Sequence, residues 1–176
     1  PPGKNFGVWL KEDEKIREVI MKKVIRAGIA GIEIERTPDK YRIFIKASRP
    51  GFIIGRGGGG IEDLEKLLRK VIAPGASLSL TVEELKRTEV SAQVMGQNIA
   101  WDLEKRMPYR RVLKRSIDIA MQNRDVKGVK IQIAGRLGGS EIARREHQEA
   151  GKLPLTTLRA DIDYGEVTAF TKYGTI

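Results

Sequence analysis

Apolar and polar residues recur with two periods along this chain, and each change of period marks a new element. From Glu12 to Ala27, the residues Ile16, Val19, Ile20, Val24 and Ala27 fall on one helical stripe, and Gly28 can end it. Ile32 and Ile34 then alternate with Glu33 and Glu35, which predicts a half-buried strand. Thr37-Pro38-Asp39-Lys40 reads as a turn. Tyr41, Ile43 and Ile45 alternate with Arg42, Phe44 and Lys46 as a second strand, broken at Pro50-Gly51. Phe52-Ile53-Ile54 is a short apolar piece. A helix is predicted from about Ile61 to Ile72, stopped by Pro74-Gly75, and Leu78, Leu80 and Val82 predict a third strand.

The charged run Glu83-Glu84-Leu85-Lys86-Arg87 interrupts the pattern and predicts a boundary between two domains, residues 1–86 and 87–176. Beyond it, Glu89 to Arg106 reads as helix, with Ala92, Met95, Ile99 and Leu103 on one face, until Met107-Pro108 ends or kinks it. Tyr109 to about Arg124 is another helix. Val129, Ile131 and Ile133 predict a strand, followed by Gly135-Arg136-Leu137-Gly138-Gly139. A short helix is expected over Glu141 to Gln148, and Gly151 to Pro154 is a turn. Ile162, Tyr164, Val167 and Phe170 suggest that Ala160 to Ile176 is strand.

Charge adds what periodicity cannot. The net charge is +10, and both halves are basic: residues 1–87 hold 18 Lys/Arg against 12 Asp/Glu, and residues 88–176 hold 15 against 11. A polyanion is the natural partner, with nucleic acid foremost. The chain has no cysteine, which excludes disulfides and thiolate metal sites and suits a reducing compartment. A single histidine, His147, leaves little for a metal site or a catalytic triad, and its charged neighbours place it on a solvated helix face. No catalytic residue, metal or cofactor is therefore expected. No apolar run reaches transmembrane length, so no membrane partner is expected either.

Glycine occupies five of the six positions from Gly55 to Gly60, with Arg56 as the exception. Backbone N–H groups in such a loop can approach a phosphate closely, and a following helix start adds partial positive charge. Gly55-x-Gly57-x-x-Gly60 matches the dinucleotide fingerprint literally, and Glu83 or Glu84 stands at the right distance to meet a ribose. That reading needs a strand entering the first glycine, and Pro50-Gly51 leaves too little room for one. The alternative is a KH module, whose GXXG loop joins two helices and clamps a single-stranded backbone. Ile54-Gly55-Arg56-Gly57-Gly58 supplies it. The order α-β-β-α-α-β resembles the type-II KH topology.

Lys105 to Arg115 carries Lys105, Arg106, Arg110, Arg111, Lys114 and Arg115 and no acid. At about 100° per residue, Arg110, Lys114, Arg111 and Arg115 span an arc of roughly 140°. Val112, Leu113, Ile117, Ile119 and Ala120 fall opposite. Four like charges in one arc repel unless phosphates neutralise them. Asp118 offers at most one internal partner, to Lys114 or Arg115.

The run Gly135 to Arg144, read with Pro154-Leu155-Thr156-Thr157-Leu158-Arg159-Ala160-Asp161-Ile162-Asp163-Tyr164-Gly165, resembles the signature of the small-subunit ribosomal protein S-three family in its bacterial or organellar form. Ala27-Gly28-Ile29, Ile34-Glu35-Arg36 and Arg49-Pro50-Gly51 match as well. The resemblance covers nearly the whole chain. It implies an α+β fold: a type-II KH domain followed by a carboxy-terminal α/β domain with two helices packed on a small mixed sheet. It further implies a structural component of the small ribosomal subunit, in the cytoplasm or in a plastid or mitochondrion. Such a protein binds rRNA of the subunit head and helps to form the mRNA entry channel, where mRNA is unwound. By position, Arg110, Arg111 and Lys114 are the channel residues. The implied RNA-binding set is Gly55, Arg56, Gly57, Gly58, Arg106, Arg110, Arg111, Lys114, Arg115, Arg136, Arg144 and Arg159. Implied protein neighbours are S-ten, S-fourteen and S-two in the head, with S-four and S-five at the entry. The chain departs from the family pattern at Gly59 and Gly60, where charged or polar residues are usual, at His147, where an aromatic is common, and at Thr156, where histidine is. The family pattern also includes an amino-terminal arm and a last strand beyond Tyr173-Gly174.

Overall fold

The computed structural model describes residues 6–24, 27–37, 40–72, 76–85 and 91–176. The turn at Pro38-Asp39, the stop at Pro74-Gly75, the helix start at Glu89 and the Lys86-Arg87 boundary lie outside the described residues. The chain divides into two compact units, Pro1–Lys86 and Arg87–Ile176.

In the first unit, α1 (Phe6–Lys23) lies against a sheet of three strands, β1 (Ile29–Arg36), β2 (Lys40–Ala47) and β3 (Ser77–Glu84). The sheet order is β1-β2-β3, antiparallel between β1 and β2 and parallel between β2 and β3. Central β2 sends Tyr41, Ile43, Ile45 and Ala47 to one face, all buried. They meet Ile16 and Ile20 of α1 and Leu64 and Leu68 of α3 (Gly59–Leu68) in one core. Parallel pairing forces a crossover between β2 and β3. That crossover holds α2 (Gly51–Ile54), a 3₁₀ turn at Arg56–Gly58, and α3, so the glycine loop sits where topology demands a long connection.

Helix α1 starts at Phe6, six residues before the expected Glu12, and the apolar stripe misses this stretch because Phe6, Val8 and Leu10 are exposed. Its first turns are tied down by Arg36 instead. The Arg36 guanidinium lies 2.8 Å from Asp13 and 3.1 Å from Glu12. It also lies over the Tyr41 and Trp9 rings, 4.8 and 5.6 Å from their centroids.

The second unit packs α4 (Ala92–Glu104) and α5 (Tyr109–Met121) on β4 (Gly128–Gly135), which pairs with β5 (Arg144–Gly151). Ile99 and Leu103, Val112, Leu113 and Ile117, and Ile131 and Ile133 form its core. A small pair, β6 (Phe170–Thr171) and β7 (Gly174–Thr175), closes the chain. The α+β class holds, but the expected mixed sheet is two antiparallel pairs. Eight residues link β4 to β5 and two link β6 to β7, too few for a parallel crossover.

Two further expectations are corrected. Residues 144–151 are strand β5 rather than part of a helix, and His147 is exposed opposite Gln132 on that strand. The core-facing positions of β5 are Glu146, Gln148 and Ala150, so polar residues hide the period-two signal. The segment before β6 is not a strand but an extended strap along α4. The Asp163 carboxylate accepts the Ala92 N–H at 2.7 Å, at the first turn of α4. A Cβ on Gly165 would stand 2.6 Å from the backbone of Ala92 and Gln93, and Val167 lies against Gly96. At the far end, Glu104 accepts the Phe170 N–H at 3.1 Å. The strap's backbone thus follows a helix rather than another strand.

Candidate nucleic-acid interface

Helix α2 ends where Gly55 turns the chain at φ 70°, and Gly57 and Gly58 follow at φ 63° and 84°. Three consecutive-turn positions of this kind are open to glycine and costly to residues with a Cβ. The loop therefore joins two helices, and no strand enters it. This removes the geometry on which the dinucleotide reading depends. Gly60 is explained by packing: a Cβ there would overlap the Ile53 carbonyl oxygen and stand 3.0 Å from that of Ile54. The first turn of α3 thus rests on the last carbonyls of α2. Gly59 has open space and an ordinary helical φ, and nothing in the structure explains it. Arg56 is exposed at the tip, and Gly58 at the N-cap of α3 has no side chain to cap it.

On α5, Val112, Leu113, Ile117 and Ala120 are buried, while Arg110, Arg111, Lys114 and Arg115 are exposed, as the helical arc predicts. Ile119 departs from that prediction. It is 39 % exposed and, with Arg111, Lys114, Arg115, Asp118 and Gln122, lines a shallow depression. At about 100° per residue it stands only about 40° beyond Arg115, on the edge of the stripe. No ion pair joins Asp118 to Lys114 or Arg115 among the described residues, so the stripe is not neutralised from within. Two of its cations, Arg110 and Arg111, occupy the first turn of α5, where the helix dipole already favours negative charge. The positive helix end adds to their charge, which costs helix stability and deepens the positive potential there.

Some cations, one of them on the stripe, have partners. Arg110 lies 3.9 Å from Glu146 and over the Tyr109 ring, and Tyr109 donates its hydroxyl to the same Glu146 oxygen at 2.9 Å. Glu146 on β5 therefore orients the start of α5, a role that no sequence pattern announced. Arg136 donates to the Ser140 carbonyl at 2.8 Å and the Tyr173 carbonyl at 3.1 Å, tying its glycine loop to the β6–β7 turn. Its guanidinium is half-buried and serves the fold. On the first unit's sheet, Lys46 pairs with Glu33 and Arg42 with Glu35. The hydrogen bond to Glu33 and its charge raise the Lys46 ammonium above its usual value. By contrast, the side chains of Arg56, Arg106, Arg111, Lys114, Arg115, Arg144 and Arg159 are exposed and meet no hydrogen-bond or ionic partner among the described residues.

A GXXG loop between two helices beside a three-stranded sheet, followed by a second basic unit, defines a KH-type RNA-binding protein. Comparison with known families agrees: a KH domain model matches residues 15–90, and the model of the ribosomal protein S3 C-terminal domain matches residues 99–176. The chain is similar to small ribosomal subunit protein uS3 of Desulfosudis oleivorans, 46 % identical over 173 residues, covering 98 % of this chain and 80 % of that one. It is 48 % identical to uS3 of Clostridium botulinum and 49 % identical to uS3 of Clostridium novyi, each match covering 98 % of this chain and 77 % of the relative. The chain belongs to the ribosomal protein S3 family, a structural and non-enzymatic family of the small ribosomal subunit.

Proposed function

We propose that this chain binds rRNA in the head of the small subunit and contributes a cationic wall to the mRNA entry, where it helps to open structured mRNA. One observation carries the reading: α5 presents Arg111, Lys114 and Arg115 with no internal partner among the described residues, beside Arg110 held by Glu146. Such a stripe suits a phosphate backbone that passes without sequence readout. Arg110, Arg111 and Lys114 track the mRNA, and Arg56 with the amides of Gly55, Gly57 and Gly58 contacts phosphate at the KH loop. Arg144 and Arg159 are proposed rRNA contacts. Arg136 acts indirectly, by shaping its loop. S-ten, S-fourteen and S-two are the proposed neighbours in the head, with S-four and S-five across the entry.

The test replaces Arg110, Arg111 and Lys114 together by Gln in ribosomes. Subunits should assemble normally and translate an unstructured message at the usual rate, but slow on a message with a stable hairpin. Equal loss on both messages, with defective assembly, would mean that the three residues are assembly contacts. Equal rates with and without the hairpin would remove the unwinding role.

A further inference from the structure

Nine glycines of the described residues have positive φ, and a single residue with a side chain joins them: Arg106, at φ 62°. It stands just past α4. The Met107 N–H donates to the Asp102 carbonyl at 3.0 Å and the Arg106 N–H to the Leu103 carbonyl at 2.9 Å. This pair of bonds is the Schellman closure, and Arg106 holds the left-handed position that glycine normally fills. A chain so free with glycine elsewhere bears backbone strain here. Completing the helix cap does not require it, since glycine would close the same two bonds at lower cost. Compensating the negative end of α4 does not require it either, because Lys105 already stands there. What remains is the guanidinium, exposed and without an ionic or hydrogen-bond partner among the described residues.

We infer that the strain at Arg106 is kept for an RNA phosphate contact that opens the cationic track of α5. Arg110 stands four positions after Arg106, so their Cα atoms lie within about 14 Å, near enough for one RNA backbone to engage both. This deepens the proposed function and rests on it. Its distinct content is that stability and binding pull in opposite directions at one position.

The test uses the full chain with Arg106→Gly and Arg106→Lys, and two labelled probes: an unstructured single-stranded RNA and a hairpin fragment of small-subunit head rRNA. Thermal melting and binding anisotropy are read together across a salt series. Arg106→Gly should raise the melting temperature of the second unit by roughly 4–8 °C. It should weaken binding about three- to tenfold near 0.1 M salt and flatten the salt slope by about one unit. Arg106→Lys should keep most of the affinity and none of the added stability. Loss confined to the single strand assigns the contact to mRNA, and loss confined to the hairpin assigns it to rRNA; either supports the inference. Unchanged affinity of Arg106→Gly for both probes, or a lower melting temperature, overturns it while leaving the wider reading intact. Failure of the unsubstituted chain to bind either probe overturns both.

Discussion

Asp163 caps a helix that begins 71 residues before it, and its removal tests whether the strap is part of the second unit's fold. Ser91 holds the N-cap position of α4 with the extended backbone that a cap needs, yet its side chain makes no capping bond. The Ala92 N–H is satisfied by the Asp163 carboxylate at 2.7 Å, a short, charge-assisted bond. Asp163→Ala removes a cap worth about 0.5–2 kcal/mol. It also removes a negative charge from the positive end of α4, worth about 0.3–1 kcal/mol at an exposed site. The sum is discounted because the freed amide can bond to water. We expect about 1–2 kcal/mol, or a fall of at least about 4 °C in the melting temperature of this 90-residue unit. Asp163→Asn keeps an acceptor and should lose about half as much.

Gly165 supplies the coupled arm. A Cβ there meets backbone, at 2.6 Å from Ala92 and Gln93, and backbone in a helix cannot step aside. Gly165→Ala should therefore unseat the same segment and cost about 1–3 kcal/mol. Because either change frees the strap, the double variant should cost clearly less than the two added together. Ser91→Asp, which caps α4 locally, should restore much of the loss in Asp163→Ala. Circular dichroism melts and urea titrations read the stability, and hydrogen exchange at Ala92 and Gln93 reads the cap itself. Full additivity of the two losses, or unchanged exchange at Ala92 in Asp163→Ala, would refute the strap.

Two shorter predictions concern the first unit. Gly60→Ala should destabilise it by about 1–3 kcal/mol through collision with the Ile53 carbonyl, whereas Gly59→Ala, in open space, should be neutral or gain up to about 1 kcal/mol; thermal melts of the two variants decide it. Burial raises the Tyr41 phenol above its usual value, with smaller contributions from Arg36, which lowers it, and from Glu12 and Asp13, which raise it. The folded state thus holds this proton more tightly than the unfolded one. Its contribution to stability is intact below about pH 10 and is lost as the pH rises through the folded value. Tyr41→Phe should accordingly flatten the alkaline limb of the stability curve, and its ultraviolet titration should lack one late-titrating tyrosine that the unsubstituted chain shows, leaving Tyr164, which Glu166 also raises.

The elements legible in the sequence are those whose burial repeats at one period. Ile16 and Ile20 on α1, Ile43 and Ile45 on β2, and Val112, Leu113 and Ile117 on α5 face cores as their spacing predicts. The GXXG loop was legible because glycine is tied to backbone geometry rather than to neighbours. What escaped was written in long-range polar contacts. Strand β5 hides because Glu146 faces inward to meet Tyr109 and Arg110. The strap hides because its partner is the end of a helix, which leaves no period in the sequence.

The arginines show where reading a basic composition as a binding surface stops working. Arg36 and Arg136 count toward the +10 as fully as Arg56 and Arg111 do. Yet Arg36 lies between two rings and two carboxylates, its side chain only 16 % exposed. Arg136 spends its donors on two carbonyls of its own domain. These two have already exchanged water for protein partners, so a phosphate reaching them would have to displace bonds that hold the fold. Among the described residues Arg111, Lys114 and Arg115 have no such bonds to give up, and each can release a counterion when a phosphate arrives. Salt dependence should therefore follow the exposed cations of α5 and ignore the two arginines committed to the fold: substituting Arg36 or Arg136 should lower stability and leave the salt slope of RNA binding unchanged, while substituting Arg111 or Lys114 should do the reverse.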